Sequence, residues 1–187
     1  MSLRRLVLLC AALGGAACRN QTDLSWHQED GYRWHALPVP SSGKPGFAAL
    51  DARRTGITHR NDVADAHALA NRNLLIGAGV AIGDVDGDGL PDLFFASLER
   101  PAALYHNDGN FRFTDMTARS GLHLDGLATL SAAFADVNGD GNLDLVVGTL
   151  GGPLELWLGD GHGHFTDATK ESGLVGGYAV TGLTFAD

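Results

Sequence analysis

Cysteine, lysine and glutamate are scarce in this chain of 187 residues. Two cysteines are too few for a disulfide framework or a thiolate metal site. Only two of the 13 basic residues are lysine and the formal net charge is -9, so the chain lacks the basic face that nucleic-acid binding needs. Only four of the 22 acidic residues are glutamate. Aspartate prefers caps, turns and metal loops, so this composition, with 26 glycines, makes the chain a poor candidate for a helix bundle or a coiled coil.

Long apolar runs are also missing. The longest covers residues 6–17, too short to cross a bilayer as a helix, and follows Arg4 and Arg5. This pattern predicts a secretory signal peptide over residues 1–18. The stretch Leu13–Cys18 resembles a bacterial lipobox, although Gly15 stands where an aliphatic residue is usual. We expect lipidation at Cys18 and a lipid-anchored place on the bacterial cell envelope, with plain secretion or an uncleaved anchor as alternatives.

Residues 19–46 show no periodicity that assigns an element, and their end is rich in proline, serine and glycine. We interpret the segment as a linker or N-terminal extension. Three aromatic residues within it, Trp26, Tyr32 and Trp34, are expected to pack on the following domain.

An internal repeat dominates the rest of the chain. Residues 82–93 align with residues 134–145 at a step of 52, and the same step carries Asp108–Gly109 onto Asp160–Gly161. A further step of 51 carries Phe134–Asp136 onto Phe185–Asp187. Repetition at this period is typical of solenoids and propellers.

Each repeat is predicted to contain four short strands. In the first, strands are expected at 78–83, 92–97, 102–106 and 111–114, with a hairpin turn at Asn107–Gly109. Four short strands in a repeat of about 50 residues are typical of a β-propeller blade. Residues 47–187 are therefore predicted to be all-β, with about two and a half repeats of a propeller. We expect the chain to be the N-terminal portion of a longer protein; the alternative is a small protein that assembles by oligomerisation.

The candidate metal-ligating residues are concentrated in two acidic loops. Carboxylates occupy positions 1, 3, 5 and 9 of the first loop, glycines occupy positions 4 and 6, and position 7 offers a main-chain carbonyl. Six or seven hard oxygens on a tightly turned loop suit Ca²⁺, whereas a solvated acidic turn is the alternative for a single such loop. The predicted ligands are Asp84, Asp86, Asp88, Leu90 and Asp92 in the first loop, Asp136, Asn138, Asp140, Asn142 and Asp144 in the second, and Asp187 at the start of a third.

An EF-hand shares the first positions of this pattern. Its twelfth position is a bidentate glutamate, but Phe95 and Val147 stand there in the two loops, and the flanking segments are strand-like. The EF-hand is therefore rejected.

The loops Asp84–Asp92 and Asp136–Asp144, each behind an apolar strand rich in small residues, resemble FG-GAP or VCBS repeats of integrin-α-type β-propellers. The segments 55–59, 77–84, 104–109 and 113–117 more closely resemble the cartilage acidic protein and ASPIC/UnbV-type family. The resemblance implies a seven-bladed propeller with calcium in its inter-strand loops.

The expected function is a calcium-binding scaffold, secreted or anchored at the surface, that binds protein or glycan through its blade loops, as in adhesion. The sequence has no recognisable catalytic set and no nucleophile elbow. The alternative is an extracytoplasmic propeller enzyme whose catalytic residues lie mostly in later blades.

Overall fold

A computed structural model describes residues 25–34, 46–174 and 179–185. Two predicted site residues, Cys18 and Asp187, lie outside the described residues, as does the whole predicted signal peptide. The chain divides into two compact units, Met1–Ala48 and Ala49–Asp187. In the described part, no helix has the length and apolar character to span a membrane.

The first unit contains a short antiparallel hairpin of strands β1 (His27–Glu29) and β2 (Tyr32–Trp34). The ring of His27 stacks on that of its cross-strand partner Trp34, with centroids 4.3 Å apart. The guanidinium of Arg33 lies 4.8 Å from the ring centroid of Trp26. This hairpin lies inside the segment predicted as a linker or extension, and the packing of its aromatic residues on the next domain stays a prediction.

The second unit is built on two four-stranded antiparallel sheets, each with its strands in chain order. The sheets are preceded by α1 (Ala52–Thr55), α2 (Asp65–Ala70) and a 3₁₀ turn, Arg72–Ile76. The first sheet comprises β3 (Val80–Gly83), β4 (Asp92–Phe95), β5 (Ala103–Gly109) and β6 (Arg112–Asp115), and is followed by a 3₁₀ turn, Thr117–Arg119. The second comprises β7 (Thr129–Ala135), β8 (Asp144–Thr149), β9 (Glu155–Gly159) and β10 (Phe165–Asp167), followed by α3 (Thr169–Ser172).

The all-β prediction with four strands to a repeat is therefore confirmed, while the number of blades stays a prediction. The predicted position of the hairpin turn in the first repeat, Asn107–Gly109, is wrong. Strand β5 continues through Asn107 to Gly109, and the chain reverses at Asn110 and Phe111, whose φ angles are +52° and +57°. Two positive φ angles in a two-residue hairpin match the twist of the strands it joins. An irregularity in the β5–β6 register between Asn107 and Gly109 accommodates the extra length.

The core lies between the two sheets. Phe94 and Leu104 of the first sheet and Leu145 and Val147 of the second are almost fully buried in one apolar cluster. Gly83, at the end of β3, fits against side chains of the second sheet, where an added Cβ would lie 2.8 Å from Leu143. Close sheet packing of this kind buries apolar surface that one repeat could not bury alone.

The same contacts recur from repeat to repeat. Thr129 N–H donates to the Ser97 carbonyl at 2.8 Å, and Val180 N–H donates to the Thr149 carbonyl at 3.3 Å. Ser97 and Thr149 are 52 residues apart, and Thr129 and Val180 are 51 apart. The two hydrogen bonds are thus related by the predicted repeat steps, while a third repeat starting in this segment stays a prediction.

Candidate metal centres

The first acidic loop connects β3 to β4 and is organised by its own carboxylates. Asp84 Oδ1 accepts from Gly87 N–H at 2.8 Å, and Asp84 Oδ2 accepts from Gly89 N–H at 2.9 Å. Gly89 has a φ of +86°, a conformation that residues with a side chain rarely adopt. Asp88 Oδ1 accepts from Leu90 N–H at 2.7 Å. These bonds curl the loop so that carboxylate oxygens of Asp84, Asp86 and Asp88 lie within 4.8 Å of one another.

The second loop connects β7 to β8 and has the same turn. Asp136 accepts from Gly139 N–H at 2.7 Å and from Gly141 N–H at 2.9 Å, and Asp140 Oδ1 accepts from Asn142 N–H at 2.8 Å. Two contacts of Asp140 have no counterpart in the first loop: its N–H donates to Asp136 Oδ1 at 3.1 Å, and the Asn138 amide donates to its Oδ2 at 3.0 Å. The hydrogen bonds to its carboxylate hold the pKa of Asp140 below its usual value, the bond from the Asn142 backbone being the largest cause and that from the Asn138 side chain the next.

The last aspartate of each loop is fully buried at the start of the next strand. Asp92 accepts backbone hydrogen bonds from Val85 and Asn107, and Asp144 accepts them from Val137 and Gly159. Burial raises the pKa of Asp92, against the two hydrogen bonds that favour its charged form. A nearby cation would relieve this penalty on a buried carboxylate.

Both loops follow the C-terminal ends of the first strands of their sheets, and these ends lie close together. Gly83, the last residue before the first loop, lies against Phe134 and Leu143, which flank the second loop. The first loop also touches the hairpin between β9 and β10, where Gly163 N–H donates to the Val85 carbonyl at 3.0 Å. The repeats therefore present their acidic loops side by side.

The donor set suits a hard cation, because the exposed oxygens of both loops come from carboxylate and amide groups. Three predicted side-chain ligands of the first loop, Asp84, Asp86 and Asp88, converge, whereas Asp92 is close to Asp86 but not grouped with the other two. The second loop has the equivalent turn. Leu90 and Asn142, predicted as carbonyl ligands, each have an N–H bound to a loop carboxylate. The cation-binding role of these residues stays a prediction.

Sequence reasoning missed His106. This residue lies on β5, and Asp86, Asp92 and His106 form a second group whose ligand atoms are within 4.8 Å of one another. Leu158 occupies the equivalent position 52 residues later. A residue-by-residue alignment of the repeats could have singled out His106, because only one of the two repeats has a metal-ligating side chain there.

A sequence model of the FG-GAP-like repeat matches residues 84–147 and residues 136–187. Each match begins at the first aspartate of an acidic loop, and together they cover more than half of the chain. The chain belongs to the FG-GAP-like repeat family. The match confirms the predicted FG-GAP assignment. The predicted relationship to cartilage acidic protein is also confirmed.

This FG-GAP-like chain is similar to cartilage acidic protein 1 of several vertebrates. It is 35% identical to the mouse protein over 103 residues, which are 55% of this chain and 16% of the mouse protein. It is 34% identical to the human protein over 82 residues, which are 44% of this chain and 12% of the human protein. The Xenopus tropicalis protein is 32% identical over 82 residues, 44% of this chain and 13% of that protein. The matched segments thus span no more than 16% of these relatives.

Proposed function

We propose that this FG-GAP-like chain is a calcium-stabilised part of a β-propeller that binds a protein or glycan ligand outside the cytoplasm. The convergence of Asp84, Asp86 and Asp88 carries this proposal. Three carboxylates so close together repel one another unless a cation neutralises them. Calcium suits the site because its flexible shell of six to eight oxygens tolerates an irregular loop better than the octahedral shell of Mg²⁺.

The cation would act on the ends of the strands. In each repeat the acidic loop joins the first strand to the second, and Asp92 or Asp144 ties the loop to the third strand. A bound Ca²⁺ would therefore rigidify three strands of one sheet. Loops on a scaffold held in this way lose less conformational freedom on binding a ligand, which supports a binding role.

The proposed propeller is seven-bladed in the whole protein, as the family resemblance implies, and adhesion is the expected biological role. The similarity to a protein named for cartilage supports an extracellular ligand. Protein is the favoured ligand class, and glycan is an alternative to be separated by array binding with and without calcium.

The calcium proposal is tested by thermal unfolding of the full chain in calcium and in chelator. Because Ca²⁺ would bind only the folded state, a hundredfold excess over its Kd should stabilise the protein by about 2.7 kcal/mol. Asp86→Ala should reduce this calcium-dependent shift. Val137→Ile is a control for an apolar substitution in the equivalent second loop, because its half-exposed side chain lies beside a predicted ligand without being one. An unchanged midpoint of the wild-type chain on chelation would show that the loops are ordinary turns.

The proposal places the mature chain at the cell envelope through a lipid on Cys18. The support is the order of Arg4 and Arg5, the short apolar run and the small residues before Cys18. Intact-mass measurement of protein expressed in bacterial membranes should show a chain starting at Cys18 with diacylglycerol or three acyl chains. An unmodified soluble product cleaved elsewhere would rule out the lipid and leave secretion standing.

A further inference from the structure

The imidazole of His106 faces the first acidic loop, whereas the second repeat has Leu158 in its place. The side chain is only 20% exposed. Its two nitrogens point towards different carboxylates. Nδ1 lies 3.1 Å from Asp86 Oδ2 and 3.3 Å from Asp92 Oδ1, and Nε2 lies 3.9 Å from Asp88 Oδ2 and 3.6 Å from Asp108 Oδ1.

The Nδ1 atom of His106 is buried and makes no hydrogen bond with the described residues. Two carboxylate oxygens are near enough to accept a hydrogen bond, but neither has the alignment that one requires. A buried ring nitrogen without a partner costs free energy. A metal ion bound by this nitrogen and by both carboxylates would remove that cost.

The distances from His106 Nδ1 to the two carboxylate oxygens fit a metal shell. Two ligands at right angles are separated by about 1.4 times the metal–ligand bond length. This gives about 3.0 Å for the bonds of about 2.1 Å that small dications form, and about 3.4 Å for calcium bonds of about 2.4 Å. The observed separations of 3.1 and 3.3 Å lie within that interval. The nitrogen distinguishes the two cases, because imidazole is a ligand for transition metals and calcium prefers oxygen.

We propose that His106 Nδ1 joins Asp86 and Asp92 as a metal ligand, which makes the first loop a mixed nitrogen and oxygen site. This site favours a divalent first-row transition metal, relative to calcium, more than the second loop does. The inference rests on the proposed function, since it assumes that the acidic loops hold cations. The second loop has an aliphatic residue, Leu158, in place of the imidazole and keeps an oxygen donor set.

The experiment uses the whole chain with Asp140→Ala, which weakens the second loop so that the first dominates binding. Affinities for Mn²⁺ and Ca²⁺ are measured by calorimetry, and pulsed EPR of bound Mn²⁺ detects coupling to a ¹⁴N nucleus. His106→Leu introduces the residue found in the second repeat. We expect this substitution to weaken Mn²⁺ binding at least about tenfold, to abolish the nitrogen coupling and to change the Ca²⁺ affinity less than about threefold.

Two results would overturn the proposal. One is Mn²⁺ binding without nitrogen coupling, or with the same affinity after His106→Leu. The other is tighter binding of both cations by His106→Leu, because the ring would then act as a positive charge in place of the metal. His106→Gln is a second variant that removes the imidazole, for use if His106→Leu does not fold. Circular dichroism checks the folding of both variants. Failure of the calcium proposal itself is distinct: the unmodified chain would then show no Ca²⁺ binding at either loop.

Discussion

Asp144 makes in the second repeat the same two hydrogen bonds that Asp92 makes in the first. In each case Oδ2 accepts from the second residue of the loop, at 2.9 and 3.0 Å respectively. Oδ1 accepts from a residue on the third strand, at 2.9 Å from Gly159 and at 2.8 Å from Asn107. The ninth position of the acidic loop therefore has a structural role that rests on its own hydrogen bonds.

This role predicts that Asp144→Ala destabilises the fold even in chelator. Two backbone N–H groups lose a charged, buried acceptor, and each loss costs about 1.5–3 kcal/mol. We expect the free energy of unfolding to fall by about 3 kcal/mol or more. Asp140→Ala is the matched control, because this exposed residue bonds only within its own loop, and its loss should cost less than about 1 kcal/mol in chelator. Chemical denaturation measures both, and equal losses would contradict the assignment.

The amide of Asn138 predicts how the second loop can be strengthened as a calcium site. Asn138 donates to Asp140 Oδ2, so Asn138→Asp replaces a favourable contact with two facing carboxylates. In chelator the variant should be less stable than the wild type. In calcium the added charge should raise affinity about tenfold, because the number of charged ligands tunes the dissociation constant. Calorimetry with Asp86→Ala in the background isolates this loop, and unchanged affinity would exclude position 138 from the site.

The acidic loops and the four strands of each repeat were predictable because their signals are local. The glycines and aspartates that turn a loop, such as Gly89 and Asp84, are five residues apart in the sequence. The third repeat is predicted from its step alone, and the Val180–Thr149 hydrogen bond agrees with that step.

The role of His106 could not be predicted in this way. The register of β4 with β5 decides which side chain of β5 faces the first loop, and it brings His106 to Asp86 and Asp92, which precede it by 20 and 14 positions. The predicted position of the hairpin turn is wrong because Asn107–Gly109 has residues typical of turns. Phenylalanine rarely adopts a positive φ, so the turn at Phe111 has no such signal. The bond from Thr58 N–H to the Tyr105 hydroxyl spans 47 residues and leaves no periodic signal.

The close approach of the two sheets predicts a strong effect of Gly83→Ala. A Cβ there would lie 2.8 Å from a Leu143 methyl group and 3.1 Å from the ring of Phe134. The side chains must move, so we expect a loss of about 1–3 kcal/mol in the free energy of unfolding. Gly182→Ala is the control, because nothing lies within 4 Å of its Cβ position. Equal stability of the two variants would show that the sheets separate easily.

The burial of His59 leads us to expect that acid lowers the free energy of unfolding independently of the acidic loops. The ring stacks on Phe95 at 5.2 Å, and its Nε2 is buried without a hydrogen bond from the described residues. Burial lowers the pKa of His59, while a hydrogen bond with the Ala96 backbone and the charge of Asp115 act in the opposite direction. The folded state therefore favours the neutral ring.

Because the unfolded ring has the higher pKa, near 6.5, the unfolded state takes up a proton first as the pH falls. The stability contributed by neutral His59 is present above about pH 6.5 and is lost as the pH falls towards the folded pKa. His59→Phe keeps an aromatic ring against Phe95 and removes the titrating group, so its unfolding midpoint in chelator should fall less than that of the wild type between pH 7.5 and 5. His67→Gln alters an exposed histidine paired with Glu99 and should retain the His59-dependent loss. Parallel pH profiles for wild type and His59→Phe would show that the ring is protonated equally in the folded and unfolded states.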